Sequence, residues 1–105
     1  MQILTLGNEA LRQKALAVKK IGPEYIGIAE KLLKTLQEEK GIGLAGPQVG
    51  IQERIFATYV EGDVPRIFIN PSIIETSQET HKYEEGCLSV PGVYCNVIRP
   101  RRIRV

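Results

Sequence analysis

Tryptophan is absent from this 105-residue sequence, histidine and methionine occur once each, and the aromatics amount to four tyrosines and two phenylalanines. A chain so poor in aromatic rings is ill equipped to stack nucleobases. Two cysteines are too few for a disulfide scaffold and fit a reducing compartment. No stretch approaches the ~18 consecutive apolar residues of a membrane span. The opening Met1-Gln2-Ile3-Leu4-Thr5 shows neither the basic n-region nor the apolar h-region of a secretory leader. Charge of one sign is also lacking: 14 basic residues nearly cancel 12 acidic ones, leaving +2. That balance gives no strong field toward nucleic acid or membrane. What is present, 43% hydrophobic and 25% charged residues, is the composition of one ordinary domain. Folding at this size buries roughly two-thirds of the unfolded surface. A single soluble, cytoplasmic domain over residues 1–105 is the expectation.

No repeat, low-complexity tract or Ser-rich linker divides the chain. From Pro23 to Lys40 apolar residues recur at helical spacing: Ile26, Ala29, Leu33 and Leu36, with Ile28 and Leu32 beside them. Glu30, Lys31, Lys34, Glu38 and Glu39 fall on the other side. Pro23 suits the first turn, Glu24 the positive end of the dipole, and Gly41 the position past the last turn. A short helical piece capped by Asn8 is expected up to Arg12. Beyond the helix the period changes. Arg54–Val60 and Arg66–Ile69 read as strands around a hairpin turn at Glu61-Gly62-Asp63. Ser72–Thr76, Thr80–Leu88 and Tyr94–Val105 are further strands, separated at Ser77-Gln78-Glu79 and at Val90-Pro91-Gly92. One helix followed by runs of strands predicts an α+β fold with antiparallel or mixed sheets.

Two segments carry more than packing. Gly41-Ile42-Gly43-Leu44-Ala45-Gly46-Pro47-Gln48-Val49-Gly50 holds four glycines in ten residues. It is either a flexible joint from helix to sheet or a loop built for close backbone approach. It lacks the Gly-Lys-Ser/Thr ending of a phosphate loop, and the helix precedes it, so nucleotide binding is disfavoured. Gln48, beside a fixed proline, brings a donor and an acceptor to a constrained place. In the second segment, Tyr83-Glu84-Glu85-Gly86-Cys87-Leu88-Ser89-Val90-Pro91-Gly92, a strand runs into a glycine and a cysteine. Taken alone, Cys87 reads first as a small buried hydrophobe. A nucleophilic role needs a base, and His81, six residues back on one strand, lies ~20 Å away. Cys95 is near enough in sequence to meet Cys87 across a hairpin.

Together, Gly-Ile-Gly-Leu-Ala-Gly-Pro-Gln and Glu-Gly-Cys-Leu-Ser, with a sheet between, closely resemble the first two signature motifs of the peptide deformylases. Ile3-Leu4, Leu11-Arg12, Phe68-Ile69-Asn70-Pro71 and Arg99-Pro100 are also similar to that family, so the likeness spans essentially the whole chain. It implies a metal-dependent hydrolase that removes the formyl group from the formyl-methionine of new polypeptides. It implies that Cys87 ligates a divalent metal, Fe2+ first and Zn2+ or Ni2+ as substitutes, as a thiolate. Gln48 and the backbone N–H of Leu88 would stabilise the oxyanion at the formyl carbon. Ile42 and Gly43 would give backbone contacts to the peptide. Tyr83, Glu85 and Gly86 would border the methionine pocket, with Arg99 placed to pair with Glu85. Implied partners are the N-formyl-methionyl peptides of nascent chains, with transient proximity to the ribosome, no membrane and no specific nucleic acid.

The family's third signature, a His-Glu-x-x-His helix bearing two further ligands and the general base, is not among these residues. A catalytic site of this kind needs three protein ligands and a water, and Cys87 supplies one. The chain therefore reads as the N-terminal part of a deformylase domain. Leu88 and the apolar side of Arg54–Val60 are expected to lack their covering helix, leaving the isolated chain inactive, weak in metal binding, and molten or self-associated. One alternative is a catalytically incomplete remnant that binds peptide N-termini without turnover. Another places a nucleic-acid or ribosome contact at Arg99, Arg101, Arg102 and Arg104, against the plainer reading of a strand with one solvated face. Within the first motif, Gly46 stands where the family usually has alanine, and the missing methyl is expected to loosen the loop.

Overall fold

The computed structural model describes all of residues 1–105. Helix α1 (Glu24–Glu38) is the one α-helix. Strands β1 (Gly43–Ala45), β2 (Ile55–Thr58) and β3 (Arg66–Ile69) form an antiparallel sheet in that order, with Leu44 opposite Ala57 and Ala57 opposite Ile67. Strand β5 (Thr80–Cys87) and strand β6 (Val90–Pro100) make a long hairpin, while β4 (Glu75–Thr76) pairs with β7 (Ile103–Arg104). Short 3₁₀ turns occupy Glu9–Arg12, capped by the Asn8 side chain, and Gly46–Val49. The fold is α+β as expected. All three sheets are antiparallel, and the parallel element is an isolated bridge between Leu16 and Glu53.

The core lies where α1 crosses the first sheet. Leu32 and Leu36 meet Leu44, Ile55 and Ala57, with Tyr25, Ile28, Leu33 and Leu88 packed around them. Burying one such large side chain contributes ~1.5–3 kcal/mol. The buried stripe differs from the expected one: Ile26 is 64% exposed, and Tyr25 turns inward, its hydroxyl donating to Glu53 Oε2 at 2.7 Å. The helix end differs as well. Lys40, not a glycine, takes the left-handed conformation at φ 55°. The Gly41 and Lys40 N–H groups then donate back to the Leu36 and Gln37 carbonyls at 3.1 Å each, a Schellman closure.

Three strand boundaries also need correction. Ser72–Ile74 lies outside any strand, although the Ile74 N–H donates to the Arg104 carbonyl at 2.9 Å, so only Glu75 and Thr76 of that segment form a strand. Val90-Pro91-Gly92 does not separate two strands but opens β6. The chain turns earlier, at Leu88-Ser89, and the register jumps from Cys87↔Val90 to Gly86↔Tyr94. Pro91 has no N–H for the ladder and Gly92 sits at φ 76°, so the segment bulges without ending the strand. The continuous strand expected to Val105 breaks at Arg101-Arg102, and its last residues join β4.

Only nine residues are buried, and the accessible surface is 7900 Å² against roughly 5,900 Å² for a compact monomer of 11.7 kDa. The surplus is not where it was expected. Leu88 packs on the core, α1 covers Ile55 and Ala57, and Phe56 on the opposite face stacks on Phe68 with centroids 4.6 Å apart. Exposed apolar side chains instead include Tyr83, Val93, Tyr94 and Ile98 on the hairpin, Ile73, Ile103 and Val105 beside it, and Leu6, Leu16 and Ile21 near the N-terminus.

Candidate active site

The glycine-rich segment is neither a flexible joint nor an open loop. Its first part is β1, and its second is a 3₁₀ turn started by Pro47 and closed by Gly50 at φ 83°. Gly46 does not loosen it. A Cβ there would stand 2.7 Å from the Ile51 carbonyl and 2.9 Å from Ile55 Cγ2, so the missing methyl is the space in which the turn closes on the sheet. The turn fixes Gln48. Its Oε1 accepts from the Ala45 N–H at 2.9 Å. Its Nε2 donates to Ser89 Oγ at 3.1 Å and faces Cys87 Sγ at 3.5 Å. A backbone N–H can donate only to the amide oxygen, which sets the orientation of the amide. The N-terminal segment ties the two motifs together. The Leu4 N–H donates to the Gln48 carbonyl at 2.7 Å, and the Leu6 N–H to the Ser89 carbonyl at 2.8 Å.

Between these motifs runs a cleft of ≈ 930 Å³. Ile42, Gly43 and Gln48 line one wall, and Tyr83, Glu85, Gly86, Cys87 and Leu88 the other, so these eight candidates reach the same cavity, while His81, Cys95 and Arg99 do not line it. The register says how β1 can meet a ligand. The Tyr59 N–H donates to the Ile42 carbonyl at 2.9 Å, which makes the next pair, Gly43↔Thr58, a non-hydrogen-bonded one. Both polar backbone groups of Gly43 therefore point away from β2, toward the cleft. The Ile42 carbonyl is engaged with Tyr59, and its side chain is exposed beside the cleft.

On the opposite wall Gly86 lies under the Tyr94 ring, where a Cβ would come within 2.7 Å of the ring carbons. Tyr83 stands exposed, its ring edge-on to His81 with centroids 4.1 Å apart. Arg99 reaches along the hairpin to grip Glu85 with both forks, at 2.6 and 2.7 Å. This hydrogen-bonded ion pair holds the Glu85 carboxyl below its ordinary range and raises Arg99. The neighbouring arginines are similarly engaged: Arg101 pairs with Glu79 at 3.2 Å and Arg104 with Glu75 at 3.9 Å. Three of the four arginines thus face carboxylates, which weakens the case for a phosphate-binding strip there.

Cys87 and Cys95 are both free thiols. Cys87 is exposed at the cleft, contrary to the inert buried thiol that it suggested in isolation. Cys95 sits opposite Glu85 in the ladder, and His81 opposite Arg99 near the far end of the hairpin. No three His, Cys, Asp or Glu side chains converge anywhere in residues 1–105. The donors present do not amount to a catalytic metal site, and Cys87 is a single thiol toward one. Sequence reasoning missed Ser89 and Tyr94 as site residues. Ser89 ends the second motif and could have been weighed; the placing of Tyr94 over Gly86 follows from the bulge, which no local pattern announces.

The fold is thus α+β, with a glutamine amide and a thiol facing one another in the cleft. The sequence profile of the polypeptide deformylases matches residues 1–105, and the chain belongs to that family. It is 44% identical over 109 residues to a peptide deformylase of Prochlorococcus marinus strain NATL1A, a match that takes in 100% of this chain and 54% of that protein. The fold superposes on the crystal structure of peptide deformylase from Thermotoga maritima with a TM-score of 0.93 at 39% identity, covering 97% of this chain and 69% of the other. Against the Synechococcus elongatus enzyme in complex with actinonin the TM-score is 0.90 at 40% identity, covering 95% and 54%. The chain thus spans about half the length of the curated relatives it matches. No helix is long and apolar enough to cross a membrane.

Proposed function

We propose that these residues are the substrate-facing half of a peptide deformylase that hydrolyses the N-formyl group of formyl-methionyl nascent chains in the cytoplasm. One observation carries the reading: Gln48 Nε2 and Cys87 Sγ, 39 positions apart in sequence, face each other at 3.5 Å in a cleft lined by residues of both motifs. In this reading an extended peptide lies along the open edge of β1, taking its main-chain hydrogen bonds from Gly43. The methionine side chain enters between Ile42, Tyr83, Glu85 and Gly86. The formyl oxygen is met by the Gln48 amide and the Leu88 N–H, donors already in place before charge develops on it. Cys87 is one thiolate ligand of a divalent metal, Fe2+ first, with Zn2+ or Ni2+ able to substitute. Its other ligands and the general base lie outside residues 1–105.

The lack of a three-donor cluster favours a second reading for residues 1–105 taken alone, a module that holds peptide N-termini without turnover. Metal stoichiometry separates the two. The natural-length protein should carry about one metal per chain and release formate from a formyl-methionyl peptide. A remnant should bind the peptide and do neither. Absence of both binding and formate release would end either reading.

A further inference from the structure

We propose that Ser89 is a positioning residue that aims the Gln48 amide; the inference rests on the deformylase reading of the cleft. Gln48 has one acceptor oxygen and two N–H donors on its side chain. The Ala45 N–H occupies the oxygen at 2.9 Å, and Ser89 Oγ takes one donor at 3.1 Å. Two bonds at opposite ends of a planar amide leave it no free rotation, and one N–H is left over. That remaining donor faces the Cys87 thiol at 3.5 Å, on the cleft side.

Ser89 is itself held in place. It is 4% exposed, and its carbonyl accepts from the Leu6 N–H at 2.8 Å while Leu4, two residues earlier, holds the Gln48 carbonyl at 2.7 Å. Both ends of the Nε2–Oγ contact are thus fastened to one extended segment. Ser89 is not among the residues that line the cleft, and its hydroxyl is bonded to Gln48, so its effect passes through that amide. Without the hydroxyl, the amide keeps its bond to Ala45 but swings about it, and the donor meant for the oxyanion loses its aim.

The test is made in the natural-length protein. Ser89→Ala should lower kcat for a formyl-methionyl peptide ~10–100-fold, part of the ~10²–10³-fold expected for losing an oxyanion donor, with KM and metal content unchanged. Ser89→Thr, which keeps the hydroxyl, should restore most of the rate. In the Gln48→Ala background, Ser89→Ala should cause no further loss, because the two act as a unit. Independently of turnover, the two Nε2 protons of Gln48 should be shifted from random-coil values and slow to exchange with water in the wild type, and should move to random-coil shifts and fast exchange in Ser89→Ala. Unchanged Gln48 resonances, or rate losses that multiply in the double variant, would overturn the proposal. A wild type with anchored Gln48 resonances but no turnover would refute the deformylase reading and leave the anchoring itself standing.

Discussion

Replacing Gln48 by alanine should separate architecture from chemistry at this site. The substitution removes the acceptor of the Ala45 N–H, the donor to buried Ser89 Oγ, and the N–H aimed at the cleft. A buried polar group left without a partner costs ~1–3 kcal/mol. Water from the adjoining cleft can reach this position, so the lower half of that range applies to each of the two structural bonds, about 2–4 kcal/mol together. The third loss falls on the reaction: turnover should drop ~10²–10³-fold, the effect of one oxyanion donor. Gln48→Glu separates the two. A carboxylate oxygen still accepts from Ala45, and the Ser89 hydroxyl can reverse and donate to the other oxygen. Stability should stay within about 1 kcal/mol of wild type, while the side-chain N–H donor of residue 48 toward the cleft is gone. The assay is kcat and KM on a formyl-methionyl peptide, beside urea unfolding and metal per chain. Gln48→Glu with wild-type turnover would refute the oxyanion role. Loss of metal in Gln48→Ala would mean that Gln48 is part of the metal site.

Leu36 is fully buried at the crossing of α1 and the first sheet, so Leu36→Ala should cost ~2–5 kcal/mol in urea unfolding; a loss below 1 kcal/mol would place the core elsewhere. The Arg99 grip lowers the Glu85 carboxyl, so the ion pair contributes at pH above the unfolded carboxyl value and is lost as pH falls through the lowered folded one. Arg99→Ala should move the Glu85 midpoint, followed by carboxyl NMR, upward toward the ordinary range; an unmoved midpoint would show that another group sets it. The 105-residue chain alone, with roughly 2,000 Å² of surface beyond a compact monomer of its mass, should self-associate or melt without cooperativity, and a sharp monomeric transition in scanning calorimetry would contradict this.

The periodic elements were legible because local chemistry decides them. The helix follows from apolar spacing in residues 23–40, and β2 and β3 from β-branched and aromatic runs. Which stripe of the helix is buried was not: Tyr25 displaces Ile26 because its hydroxyl finds Glu53, 28 positions away. Pro91-Gly92 has the composition of a turn, yet becomes a bulge because Leu88-Ser89 has already reversed the chain. The motifs pointed to candidate residues that the fold brings to one cleft, but their mutual geometry was hidden. Nothing near Gln48 in sequence says that its amide faces Cys87 and Ser89. Asn70 is a similar case. It reads as a strand terminator, and its side chain also pairs with both backbone groups of Val18 at 2.8 and 2.9 Å, pinning the N-terminal segment.

The central claim, that Cys87 and Gln48 belong to one deformylation site, is tested most directly by formate release from a formyl-methionyl peptide, with metal measured in the same samples. The natural-length protein should turn over with about one divalent metal per chain. Cys87→Ala should lose both metal and turnover while keeping its helix and sheets, which do not depend on that side chain. A Cys87→Ala protein that retained its metal and normal turnover would contradict the account.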